Sequence, residues 1–120
     1  MITNQKIIGR VALKGFFNIT EEWSLDPGDQ KILLGGIPDH DFEIYKELDD
    51  VELPDDILDR ISCILGIYKA LRILFTKSEQ ANEWVKKDNT AFNDESALRH
   101  MLKGKVSNLD DVLRYLNTQI

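Results

Sequence analysis

The chain has 120 residues, 42% of them hydrophobic, and a formal net charge of −6. That length allows one domain or two very small ones, and the single cysteine, Cys63, excludes an internal disulfide framework and suits a reducing cytoplasm. No apolar run approaches the roughly 20 residues of a membrane span, and the opening MITNQKIIGR lacks the apolar core of a secretory signal.

The charge is unevenly spread. Residues 1–38 balance four basic against four acidic side chains, whereas residues 39–59 hold ten acidic and one basic, a net of −9. Residues 60–120 return to +3, with ten basic and seven acidic side chains. Affinity for nucleic acid comes largely from positive charge near phosphates, so this balance argues against strong non-specific DNA binding.

Apolar residues recur at helical spacing, proline and glycine are scarce, and no stretch alternates with period two; the pattern predicts an all-α fold. A first helix runs from Thr3 or Asn4 to about Trp23, with Ile7, Ile8, Val11, Ala12, Phe16 and Ile19 as its apolar stripe. Asp26 and Pro27 start a second helix, as N-cap and first helical residue. Ile32, Leu33 and Leu34 give it an apolar end, and Gly35-Gly36 stop it. Pro38 opens a third short helix carrying Phe42, Ile44, Tyr45 and Leu48. Helix, glycine turn and helix outline a helix-turn-helix, placed in a region 1–53 that the polar DDVELPDD separates from a region 54–120.

The second region opens on its strongest element, ILDRISCILGIYKALRILF. Ile57, Ile61, Ile64, Leu65, Tyr68, Leu71 and Phe75 form a stripe that Ile67, Ile73 and Leu74 widen, which predicts a central helix buried on most sides. Asp55 and Asp56 suit the positive start of that helix. Three short helices follow. Thr76 with Glu79 reads as a capping box ahead of Ala81, Trp84 and Val85, which face inward. Asn93 or Asp94 caps ESALRHMLKG, which Gly104 ends. Ser107 with Asp110 starts the last helix, with Leu109, Val112, Leu113 and Leu116 inside. Helices this short need packing partners.

Catalytic patterns are lacking. His40 and His100 stand far apart without metal-ligand spacing and read as solvated or helix-edge side chains. Cys63 falls in the apolar helix as a core thiol. The acidic run lacks the order of a calcium loop, and no nucleophile elbow, phosphate loop or zinc motif occurs. The chain is therefore expected to be no enzyme and to carry no metal or cofactor.

The second half resembles the toxin-binding domain of the MbcA/ParS/Xre antitoxin family. The likeness rests on Arg60-Ile61-Ser62, LGIYKALRILF, Ala81, Trp84, Asn89, Phe92, SALRHMLKG and VLRYL, in order and at compatible spacing over about half the chain. LKGFFNITEEWSLDPGDQKILLGG and the pair Tyr45-Lys46 resemble the same family's Xre-like helix-turn-helix. The resemblance implies an antitoxin of a type II toxin–antitoxin module whose partner is a RES-domain toxin that depletes NAD+. It implies a C-terminal domain that occludes the toxin's active site and an N-terminal domain that dimerises or represses the module's promoter.

Two positions depart from the family pattern. Asn93-Asp94 stand where a Gly-Gly is common, and asparagine tolerates the unusual backbone angles involved. The third helix carries Asp39, His40, Asp41 and Glu43 where Ser, Thr and Arg are usual. Carboxylates beside phosphates repel, which argues against direct readout by that helix. The remaining candidates for DNA contact are Lys14, Lys31, His40 and Lys46, with Lys6 and Arg10 beside them.

Toxin binding is assigned to Asn89, Phe92, Arg99, Lys103, Arg114 and Tyr115. Phe92 either docks on a partner or folds back under the helices. Lys86, Lys87, Arg99, Lys103 and Lys105 flank its loop and are expected to occupy the toxin's phosphate-suited pocket as substrate mimics. The expected function is thus a cytoplasmic antitoxin, homodimeric within a toxin complex. A DNA-binding regulator without a toxin, or a homodimeric scaffold, is the alternative.

Overall fold

The computed structural model describes residues 3–120, and it is mostly helical, as the periodicity predicts. The helices in chain order are α1 (Asn4–Glu22), α2 (Pro27–Leu33), α3 (Asp39–Lys46), α4 (Asp55–Leu74), α5 (Ser78–Lys86), α6 (Ala97–Met101) and α7 (Val106–Gln119). Two-residue strands β1 (Asp88–Asn89) and β2 (Glu95–Ser96) pair antiparallel between α5 and α6. No helix among the described residues is long and apolar enough to cross a membrane.

Local chemistry explains the first boundaries. Thr3 Oγ1 accepts from the Lys6 N–H at 3.3 Å and caps α1. Asp26 Oδ1 accepts from the Asp29 N–H at 2.8 Å, and Pro27 occupies the first turn of α2. Gly35 and Gly36 take φ of 108° and 71° and return their N–H groups to Ile32 and Lys31 carbonyls, a glycine-type helix stop.

Helix α4 is the post of the molecule. It packs along α1 on one side and α7 on another, while α5 packs against α4 and α6, and α6 against α7. Ile57, Ile61, Ile64, Ile67, Ala70 and Leu71 are buried there. Leu65 and Ile73, expected inside, are 39% and 59% exposed: Leu65 lies against α1 at Gly15 beside an open hollow, and Ile73 lines another with Leu113 and Ile120.

The α1 stripe also differs from expectation. Phe16 and Ile19 are buried as predicted, but Ile7, Ile8 and Val11 are 38%, 53% and 60% exposed. The buried line is Gly9, Leu13, Phe16, Phe17 and Thr20. The cause is the acidic connection. Val51 donates its N–H to the Lys6 carbonyl at 3.2 Å, and a Cβ at position 9 would lie 1.8 Å from the Val51 oxygen. Only glycine lets the connection lie so close, so α1 turns Gly9 toward it and its isoleucines away. Arg10 fastens the strap through Asp50 at 2.9 Å, and Leu53 is buried below it.

Three helix starts differ from the sequence reading. Phe75 and Lys77 are extended, so Thr76 lies outside α5 and no Thr76–Glu79 capping box forms; the Ser78 hydroxyl instead accepts from Arg72. Ser96, rather than Asn93 or Asp94, caps α6 by accepting from the Arg99 N–H at 3.0 Å, because the β1–β2 pairing keeps residues 93 and 94 in the loop. Helix α7 begins at Val106 rather than after Ser107, with Asn108 Oδ1 accepting from the Lys105 N–H at 3.0 Å.

Gly9→Ala is expected to lower stability by about 1–3 kcal/mol through overpacking against the strap. Urea unfolding measures this, and an unchanged midpoint would contradict the close approach.

Candidate functional site

The residues between α5 and α7 build a compact aromatic face. The strands pair Asp88 with Ser96 and Asn89 with Glu95, closing a loop over residues 90–94. Asn89 Oδ1 accepts from the Ala91 N–H at 2.9 Å, and the Asn89 carbonyl accepts from the Asp94 N–H at 3.1 Å. One 3₁₀ turn, Thr90–Phe92, then points the phenylalanine inward. Asn93 and Asp94 take φ of 55° and 64°, the left-handed region that Asn and Asp enter more readily than other non-glycine residues. The loop therefore closes without the Gly-Gly pair.

Of the two readings left open for Phe92, the structure takes the second: the ring folds back and is 5% exposed. It meets Tyr115 edge-on at 5.4 Å, Trp84 edge-on at 6.3 Å and the His100 ring in a stack at 5.3 Å. Trp84 stacks on Tyr115 at 6.2 Å. Pairs in these arrangements add roughly 0.5–1.5 kcal/mol beyond the area they bury. Trp84, Tyr115 and His100 are only partly buried, so the cluster is a surface as well as a core. Tryptophan 84, expected inside, has that double role because α7 brings Tyr115 to one face of its indole and leaves the rest open.

His100 is no solvated edge residue. Its Nε2 lies 2.9 Å from Asp111 Oδ2, and its side chain is 15% exposed. Arg114 reaches the same helix turn through Asp110 at 2.9 Å and Asp111 at 3.5 Å. Ala91, Phe92, His100, Asp111, Arg114, Tyr115 and Thr118 line an open groove of about 370 Å³. Of the toxin-binding candidates, Phe92, Arg114 and Tyr115 thus come together, and Asn89 shapes their loop. Arg99 and Lys103 lie exposed beside them on α6 and its C-terminal end. Lys103 Nζ is 3.7 Å from Glu95 and 3.5 Å from His100 Nδ1.

Residues 70–119 match the antitoxin Xre/MbcA/ParS C-terminal toxin-binding domain, a span that contains every aromatic and basic residue just described. Over that span the chain belongs to the Xre/MbcA/ParS antitoxin family. A relative, the uncharacterized protein y4oB of Sinorhizobium fredii, is 42% identical over 107 residues, 89% of this chain and 82% of the relative. No solved structure matches significantly. The antitoxin therefore carries a toxin-binding domain, and its partner is a toxin.

The antitoxin's N-terminal cations are spread differently. Lys14, His40 and Lys46 are exposed. Lys31 is engaged: its Nζ sits 2.7 Å from Asp39 Oδ1 and 5.7 Å from the Phe42 ring centre, with Lys46 on the same ring at 5.4 Å. Burial pushes the Tyr45 hydroxyl above its ordinary value, with Asp41 adding to the shift. Burial likewise raises the Cys63 thiol, with Asp110 and Asp59 adding, which makes it a poor nucleophile. Among the described residues no three His, Cys, Asp or Glu side chains group as metal ligands.

Sequence reasoning missed two side chains. His100 is tied to Asp111 across eleven positions, a spacing that belongs to no local motif. Arg60 was noticed only for its place in a family pattern, yet it is 8% exposed and hydrogen-bonded at both ends of its guanidinium.

The Lys31 ammonium, donating to Asp39, holds that carboxyl below its ordinary value. The pair's contribution is present above the unfolded carboxyl's pKa and is lost as pH falls through the depressed folded one. Lys31→Met should move the Asp39 titration, followed by carboxyl carbon shifts, to higher pH; an unmoved titration would remove the pair from the account.

Proposed function

We propose that this antitoxin neutralises a RES-domain toxin that degrades NAD+, by covering the toxin's active site with the face built from Phe92, Tyr115, Arg114, Arg99, Lys103 and Asn89. The observation that carries the reading is the coincidence of that face with the matched toxin-binding domain. Its aromatic centre and basic rim also have the composition of an energetic interface core, where Tyr, Trp and Arg dominate. Lys87, Arg99, Lys103 and Lys105 are exposed in the same domain, whereas Lys86 lines a hollow beside Glu22, Trp23 and Ser24. A pocket shaped for a dinucleotide's phosphates is rich in groups that hold anions. The rim therefore works less by matching those groups than by filling the entrance and engaging acidic residues outside it. The antitoxin needs no chemistry of its own for this.

Region 1–53 supplies the second half of the proposal, as the module's dimerisation and promoter-binding part. Ile8 and Val11 of α1 are exposed on the side where α1 meets Leu65 of α4. An open cavity of about 500 Å³ lies there, lined by Gly15, Asn18, Ile19, Glu22, Leu65 and Tyr68. An apolar face of this kind favours a second copy of the chain. Operator contact falls to Lys14 and Lys46 rather than to the first turn of α3, where Asp39 and Asp41 flank His40 and face any phosphate, and Asp39 already occupies Lys31. A regulator without a toxin partner is not favoured by that arrangement.

Two experiments test the proposal. Co-expression with the RES-domain toxin of its own operon should preserve growth and cellular NAD+, and Arg99→Ala with Lys103→Ala should weaken that protection severalfold. Undiminished protection would remove the basic rim from the site. Light scattering after gel filtration should give a dimer mass that Val11→Glu halves; a monomeric wild-type chain would end the dimer reading.

A further inference from the structure

Arg60 lies where three otherwise separate parts of the chain converge. It stands in the second turn of α4, buried, with its Nε donating to Asp56 Oδ2 at 3.0 Å. Its Nη1 donates to the Gly104 carbonyl at 2.8 Å, 44 positions away, in the connection between α6 and α7. Its guanidinium also lies against the α2–α3 turn. A Cβ at Gly35 would sit 3.2 Å from Arg60 Nε, 3.4 Å from Cζ and 3.5 Å from Asp56 Oδ2. One cation therefore touches the turn that orients α3 and the loop that orients α7.

In the Gly104 connection the Gly104 N–H donates to the Met101 carbonyl at 3.2 Å and the Lys105 N–H to Asn108 Oδ1 at 3.0 Å. Gly104 has φ of 95°, and its carbonyl is held by a side chain rather than by a following helix turn. Lys103 and Lys105 flank it, and α7 leaves it carrying Asp111, Arg114 and Tyr115 of the groove. Hydrogen bonds from a guanidinium to a carbonyl in a buried site are among the stronger ones, and a planar fork transmits direction as well as charge.

We propose that Arg60 is a positioning residue for the toxin-binding face and couples it to the α2–α3 turn. This rests on the toxin reading for its binding readout but not for its structural one. The guanidinium fixes the height of the Gly104 peptide, and so the angle at which α7 presents Arg114 and Tyr115. Displacement of Arg60 from the Gly35 side reaches the toxin face without any contact between α3 and the toxin.

The test uses the full chain, with amide spectra and toxin affinity measured on the same samples. Arg60→Gln should shift the Lys105 amide nitrogen, which shares the peptide of the lost acceptor, and weaken toxin binding roughly tenfold. Arg60→Lys, which keeps the charge but not the fork, should give the same shift with partial rescue, and replaces the glutamine variant if that does not fold. Gly35→Ala should shift the Lys105 amide from the other end of the contact. Gly36→Ala is the control: its φ of 71° is also left-handed, but nothing lies within 4 Å of the added methyl, so the Lys105 amide should stay. A Lys105 amide unmoved by Gly35→Ala, or moved equally by Gly36→Ala, overturns the coupling. Wild-type toxin affinity in a folded Arg60→Gln chain overturns the positioning role. If the wild-type chain binds no RES-domain toxin, the partner reading fails, and the amide comparison still decides the coupling.

Discussion

Ile61, Ile64, Ile67 and Leu71 of α4 are each no more than 1% exposed, and no single neighbouring helix accounts for that burial. α1 covers part of the arc and α7 another part. Each of these elements is too short or too polar on its outer side to be stable alone, so their stability is held in common through α4. At about 25 cal/mol per Å² of apolar surface removed from water, this shared core is the largest favourable contribution in the fold. It has a functional consequence. The matched toxin-binding domain runs from the end of α4 to α7, yet α4 is also packed by α1 of the N-terminal region.

The acidic segment acquires a physical role in this frame. Three of its ten acidic side chains are paired within the molecule. Asp39 meets Lys31, Asp50 meets Arg10 and Asp56 meets Arg60. Exposed pairs of this kind stabilise little. Their effect is on geometry: they hold the connection across α1, the first turn of α3 beside α2, and the start of α4 beneath the glycine turn. A surface so arranged repels phosphates at α3 and leaves positive charge to the second half, which contains the matched toxin-binding domain.

Much of this was legible in the residues. Thr3, Asp26-Pro27, Gly35-Gly36 and Pro38 act locally, through caps and fixed backbone angles, and local chemistry survives folding unchanged. The long α4 stripe and the family likeness were strong for the same reason. What failed was decided at a distance. Ile7, Ile8 and Val11 have ideal helical spacing, but Gly9, which has no hydrophobicity to count, is the residue the strap selects. The Thr76–Glu79 and Asn93-Asp94 starts were displaced by an extended turn and a two-residue strand pair, neither of which leaves a periodic trace. Within the site, Phe92 and Tyr115 could be named singly, whereas the stack that joins them to Trp84 and His100 depends on how α7 crosses the loop.

The central claim is that toxin docks on the aromatic-basic face of the C-terminal half. Hydrogen–deuterium exchange of the antitoxin, alone and bound to its toxin, tests this most directly. The account predicts added protection over residues 89–105 and along the outer side of α7, with the amides of α3 unchanged. Protection confined to α2 and α3, with the loop and α7 exchanging as in the free protein, would contradict it.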